Sequence, residues 1–486
     1  MIKPIHLNLR WWHWLLLILG FILTIVFVVL LSLRSMGRSD YQRVIADIRA
    51  QGKIATLDEF IASAPAVDIA LQDEWDLWSK HAPEYPKYIA PDSGKSVDPM
   101  AWKKFILGKA SVPPDVLIEL NSTRAAFEPA LRMLRTGKLV TTAFGWIAQD
   151  LPPDKRAQQP GLKMRTSSLL ASRSLTNWLH HEACTAADPS IALADLHHQH
   201  RAMQRSGCLI DSMIAIAIGS IRDQAYLHLQ LLDRLPEAEL IRWSEENCGY
   251  IHDVAAGFDG ERTWFNDGEC RWMDSMNVLH SFSLEKPPTL VFLKSPPTEF
   301  DFSRLYYGPI TWSTAHHDAA INAAIETRIA RRLRGETTES TSAIQSSAIG
   351  YWGYGGMGLL NLIECGITAL EPNANHRITR LAVRILAQSR VHGLPTDEAD
   401  LCQKFNDPML LTPIGDHLHL RYERLADDRF RLVVSPTSPV SNIDDPKRMA
   451  ERSKTFGQPP SKDSTAMQTR TALEIPLPAH LLPPKP

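Results

Sequence analysis

Apolar residues follow three different spacings along the chain. From Trp11 to Leu33 the run "WWHWLLLILGFILTIVFVVLLSL" is continuous and holds no Asp, Glu, Lys or Arg. A helix of that length, rising about 1.5 Å per residue, covers the roughly 30 Å hydrocarbon core of a bilayer. From residue 39 to about 335 the apolar positions recur three and four apart, as on one face of a helix. Between 416 and 434 they alternate, as in a strand with one buried face.

The continuous run predicts a membrane-spanning anchor over 11–33, preceded by a short flank, residues 1–10. Trp11, Trp12 and Trp14 gather at one end, where amphipathic rings favour the headgroup layer, and Arg34 and Arg38 close the other. The run is longer than a signal-peptide core and no small-x-small site follows in "SLRSMGRSD", so it reads as an uncleaved signal anchor. Lys3 and Arg10 face Arg34, Arg38 and Arg43 across the membrane, and this near balance leaves the orientation open.

The helical spacing predicts an irregular bundle or helix-hairpin array over 39–335. A juxtamembrane helix in "SDYQRVIADIRAQG" starts at Ser39 or Asp40, buries Tyr41, Val44, Ile45 and Ile48, and stops at Gly52. Thr56 and Glu59 form a capping box for the next helix. Residues 84–112 read as a connecting loop. Long helices follow from Pro113, with stops at Gly137, Gly207 and Pro236 and a start at Asp188-Pro189. "LIDSMIAIAIGSI", 209–221, is too short to span a membrane and reads as a buried central helix. An irregular stretch is expected over 250–315. A helix then starts near His316 and ends in a solvated cluster of Arg328, Arg331, Arg332 and Arg334. Residues 336–347 form a polar linker, 348–440 a helix plus β-hairpin module, and 441–486 a Pro-rich disordered tail whose "LEIPLPAHLLPP" offers an alternative as an extended strand docked on a partner. The fold class is mainly α.

Composition removes some functions. Across 486 residues Lys plus Arg number 52 and Asp plus Glu 54, so no basic field points to nucleic acid. Six cysteines, Cys184, Cys208, Cys248, Cys270, Cys365 and Cys402, all follow the anchor without a C-x-x-C pair, which leaves bridges and buried thiols both open. They permit an oxidising compartment.

Candidate chemistry is sparse. In "HHEAC" His180 or His181 shares a helix face with Cys184, and "HHQH" repeats the idea with His197 and His200. A zinc site generally needs three or four ligands and a second shell, and no H-E-x-x-H occurs. No catalytic or cofactor-binding residue is assigned, no cofactor is implied, and metal binding stays unknown. A metal-dependent hydrolase would require His180, His181, His197 and His200 to converge beside a carboxylate such as Glu182 or Asp195. "HHD", 316–318, marks a helix start. "GYGGMG", 353–358, fits G-x-G-x-x-G but follows a polar linker rather than the strand a dinucleotide site needs. His417 and His419 fall on the wet face of the hairpin beside Arg421.

"HRITRLAVRILAQSRVHGLPTDEADL", then "NDP", "LHLRYERLADDRFRLVVSP" and "NIDD", resembles the C-terminal module of uncharacterised single-pass bacterial envelope proteins. Its order of helix, loop and hairpin is similar to the globular part of type II secretion pseudopilins. The resemblance covers about 355–445, with a weaker likeness in the anchor and "IRAQGKIATLDEF". "GFILTI" lies inside the span with no Glu after it, and Gly415 arrives late in the Asp-Pro loop, so pilus processing is not implied. The resemblance implies a bacterial inner-membrane protein with a periplasmic body that meets other envelope proteins, while the apolar run 11–33 is expected to contact membrane lipid. A non-enzymatic scaffold or interaction component is the expected function, with the hydrolase and a ligand-binding helical bundle as alternatives.

Overall fold

The computed structural model describes residues 11–63, 68–85, 99–140, 166–204, 209–245, 250–275, 303–334, 336–337, 339, 344, 370–405, 418–436, 472–478 and 481. Helices dominate, and a small antiparallel sheet lies near the C-terminus.

Helix α1 (Trp11–Ala50) is one element of 40 residues. The expected break at Ser39 or Asp40 is absent, because "SLRSMGRS" contains no proline and its glycine sits at a helix contact. Most of its first two thirds is apolar and exposed all round, and among the described residues it is the one helix long and apolar enough to cross a membrane. From Leu30 a single face turns inward through Arg34, Gly37, Tyr41, Ile45 and Ile48, spaced three and four apart. The helix stops at Gly52, whose φ of +69° is the left-handed conformation glycine adopts at helix ends. The capping box then opens α2 (Leu57–Ser63): Thr56 Oγ1 accepts from the Glu59 N–H at 3.5 Å, and Glu59 accepts from the Thr56 N–H at 3.3 Å.

The body is built from α3 (Ile69–Ser79), α4 (Pro99–Ile106), α5 (Pro114–Arg135), α6 (Thr166–Thr185), α7 (Ser190–Gln204), α8 (Leu209–Leu231) and α9 (Glu237–Glu245). Helix α8 is central, packed by α6, α7 and two later helices, as its apolar sequence predicts. The expected loop over 84–112 contains α4, whose proline sits at its first position and whose Phe105 and Ile106 are buried.

The expected irregularity at 250–315 is a second correction. Residues 250–275 form α10 (Tyr250–Glu261), a π-helical segment (Arg262–Asp267) and α11 (Gly268–Ser275) without interruption. A π turn shifts the register of the apolar face, which hides the helix from a 3.6-residue period. Helix α12 (Ser303–Leu333) begins well before His316, so "HHD" lies in mid-helix. The arginines at its end are ion-paired rather than simply solvated: Arg328 with Glu339, Arg334 with Asp259 and Arg331 with Glu336. Most of the 336–347 linker, and all of "GYGGMG", lie outside the described residues.

Helix α13 (Leu370–His392) stops at Gly393, φ +63°, and α14 (Glu398–Phe405) follows. Strands β1 (Leu418–Ala426) and β2 (Arg429–Pro436) form the expected hairpin, with Tyr422 opposite Leu432. Leu420, Tyr422, Phe430 and Leu432 fill its buried face. His417 lies outside the described residues, and of His419 only the backbone, opposite Ser435, is described. The tail corrects the disordered reading in part: Ala472–Pro476 is β3, antiparallel to β2 with Ile475 opposite Phe430. Residues 441–471 lie outside the described residues. Ile475, Leu477 and Leu481 join one apolar core with α5, α6, α7, α8 and α13, so bundle and sheet share an interior.

Candidate functional site

Two polar groups are built into this frame. The first is an imidazole and thiol cluster between α6 and α8. Positions 180 and 184 are one helical turn apart, so His180 and Cys184 point the same way from α6, and His228 reaches them from α8. One nitrogen of each histidine and the Cys184 sulfur lie within 4.8 Å of one another. His180 Nε2 is 2.9 Å from His228 Nδ1. Next to them the Tyr85 hydroxyl is 2.7 Å from His181 Nδ1, and the Trp102 ring of α4 stands 4.3 Å from that of His181 and edge-on to that of His180 at 6.1 Å.

The surroundings set the charge state. Burial brings His228 down to about 4, burial and the nearby His228 bring His181 to about 4, and burial followed by His228 and His181 lowers His180 well below the ordinary range. The imidazoles are therefore neutral at pH 7. Burial pushes the Cys184 thiol up, opposed by the Arg234 guanidinium, which donates to the Cys184 carbonyl at 2.6 Å. Two neutral imidazoles and a thiol beside the Trp102 and Tyr85 rings can exchange protons by tautomer shift or donate lone pairs to a metal.

The other histidines proposed for a hydrolase do not join this group. His197 and His200 lie on α7, where His200 is buried. The candidate carboxylates are engaged elsewhere. Glu182 receives both bonds of an Arg124 pair at 2.6 and 2.8 Å, and Asp195 is held by Arg135 at 2.7 Å. "HHEAC" disclosed half of the cluster. His228, Tyr85 and Trp102 were missed because each is single in its own segment and meets the others only through helix packing.

The second group ties α1 to the body. Arg34, 5% exposed, donates to the Trp312 carbonyl at 2.6 Å, the Met273 carbonyl at 2.8 Å and Asp274 at 2.7 Å, while its guanidinium lies 4.0 Å over the Trp312 ring. Asp274 also receives Arg38 at 2.5 Å and stands 3.2 Å from His316. Burial works to raise this carboxyl, but the bonds from His316 and Arg38 outweigh it and bring Asp274 to about 2. One turn on, Gly37 lies against α12 so closely that a Cβ there would stand 2.8 Å from the His317 backbone nitrogen. Tyr41, Ile45 and Ile48 then pack on the small side chains Ala319, Ala320 and Ala323. In the sequence Arg34 reads only as a membrane flank, with nothing to signal partners about 240 residues away.

Below this joint, α10 and α12 bury acids. Glu326 accepts a hydrogen bond from Asn266 Nδ2 at 2.7 Å, and burial followed by the nearby Glu261 raises it strongly. Glu261 is pushed up to about 8 by burial, against a bond from the Leu209 N–H, with Asp211 adding to the rise.

No protein-family model, curated protein or solved structure matches the chain. None of these comparisons links the chain to pseudopilins.

Proposed function

We propose that this chain is a non-enzymatic scaffold or interaction component of a bacterial envelope, anchored in the inner membrane through residues 11–33 with its body on the periplasmic side. The observation that carries the reading is the continuity of α1. An apolar, exposed helix becomes, with no hinge, a buried element of the body, fixed by Arg34 and Gly37. A flexible tether would suffice to keep an independent enzyme near a membrane. A rigid helix locked into the body also sets the height and tilt of that body, which matters when it must meet partners held in the same membrane.

Crosslinking in native membranes, followed by capture through a tag after Pro486, tests this. Reproducible envelope partners should be recovered with the wild type and lost when Arg34→Met and Gly37→Val together loosen the joint. Capture of the chain alone, or an unchanged partner set in that variant, would count against a scaffold whose geometry matters. Protease mapping with the membrane sealed and then opened fixes the side on which the body lies.

A further inference from the structure

We infer that His180, Cys184 and His228 bind one zinc ion that ties α6 to α8. The donor set comes first: two imidazole nitrogens and one sulfur, with no carboxylate, suit a borderline-soft ion and not calcium or magnesium. Spacing comes second. With Zn–N of about 2.0–2.1 Å and Zn–S of about 2.3 Å, tetrahedral ligand atoms stand roughly 3.3–3.7 Å apart. The three donors already lie within 4.8 Å of one another, and the pair at 2.9 Å needs only a small side-chain rotation to open around an ion. Rigidity comes third. Two of the ligands are one turn apart on a single helix and the third is on a helix packed against it, so little ordering remains to be done on binding.

The surrounding shell fits as well. Trp102 shields the rings, and the Arg234 guanidinium, bonded to the Cys184 carbonyl, fixes the backbone that carries the sulfur. Three protein ligands leave a fourth position for water. On binding, the Cys184 S–H bond breaks and its proton leaves to solvent while a Zn–S bond forms. The hydrogen bond between the imidazoles is lost, and the proton it used moves to the outer nitrogen of the same ring, so one proton is released per ion.

The test uses the full chain in detergent micelles, stripped with a chelator and titrated with zinc chloride, then separately with cobalt chloride. The wild type should take up one equivalent of zinc and release one proton, and cobalt should produce a thiolate-to-metal charge-transfer band with tetrahedral visible bands. His197→Gln on α7 should behave as wild type. Cys184→Ala and His228→Gln, checked for folding by circular dichroism, should weaken zinc binding by more than about 100-fold, and Cys184→Ala should abolish the charge-transfer band. The cobalt spectrum of the wild type decides the matter even where a variant misfolds. Absence of zinc uptake at micromolar metal, a cobalt complex with no thiolate band, or unchanged binding in a folded Cys184→Ala chain would overturn the inference.

Discussion

Gly37→Ala sets two effects of known sign against each other. Within an isolated helix the exchange favours the helix by about 0.8–1 kcal/mol, since alanine loses less backbone freedom. At this position the new methyl would stand 2.8 Å from the His317 nitrogen and 3.3 Å from the His316 and His317 Cβ atoms. Ordinary contact begins near 3.4 Å, and the first obstacle is backbone, so α1 and α12 must move apart by about 0.5 Å. Such a shift opens the packing of Tyr41, Ile45 and Ile48 on the alanines of α12. Overpacking of this kind costs about 1–3 kcal/mol. The net expectation is a loss of about 1 kcal/mol for Gly37→Ala and about 3 kcal/mol for Gly37→Val, whose branched side chain cannot turn away. Gly20 supplies the control, because nothing lies within 4 Å of its added Cβ and Gly20→Ala should be neutral or slightly favourable. The assay is amide hydrogen exchange of residues 38–50 in nanodiscs, which reads opening of this interface rather than of the whole chain. Faster exchange in Gly37→Ala than in wild type or Gly20→Ala is predicted. Equal or slower exchange would refute the close approach of α1 and α12.

Other outcomes follow from the same geometry. Arg34→Met leaves two carbonyls without their donor and should lower stability by about 2–4 kcal/mol in urea unfolding, whereas a loss under 1 kcal/mol would mean the guanidinium is solvated. The Asp274 carboxyl is depressed in the folded state, so its stabilisation is present above its unfolded value of 3.8 and vanishes as pH falls through about 2. Asp274→Asn should therefore be weaker than wild type at pH 6, and the gap should close near pH 2. Glu261 runs the opposite way: raised to about 8, it is protonated when folded, and stability falls as pH climbs from 4.5 through 8. Glu261→Gln should flatten that alkaline decline, and an unchanged pH profile would show the carboxyl to be ionised in place. Removing residues 472–486 strips Ile475, Leu477 and Leu481 from the core, a loss of about 5 kcal/mol or more that should expose the hairpin to protease.

The sequence disclosed whatever depends on local pattern. Apolar spacing located the long apolar N-terminal helix, the central α8 and the hairpin, and single residues such as Gly52 and Gly137 marked helix ends correctly. Pattern failed where tertiary contacts decide. The polar Ser39-Asp40 pair looks like a helix start, yet packing against α12 carries the helix through it. The π segment broke the period over 262–267, and the proline-rich tail offered a docked strand only as an alternative, with nothing local to say that β2 of this chain is the edge it joins. For the site, the i, i+4 relation of His180 and Cys184 was visible, but its partner His228 lies 48 residues away from His180 and carries no local signal. Arg34 and Asp274 show the same limit at a separation of 240 residues.

Helix α1 runs without a hinge from its apolar, exposed segment into the body. Residue-resolved amide exchange along 11–50, with the full chain in a lipid nanodisc, tests it most directly. Continuous protection is expected from the exposed apolar segment through residues 34–40 and on to Ile48. Rapid exchange confined to 34–40, with protection on both sides, would reveal a flexible tether and contradict it.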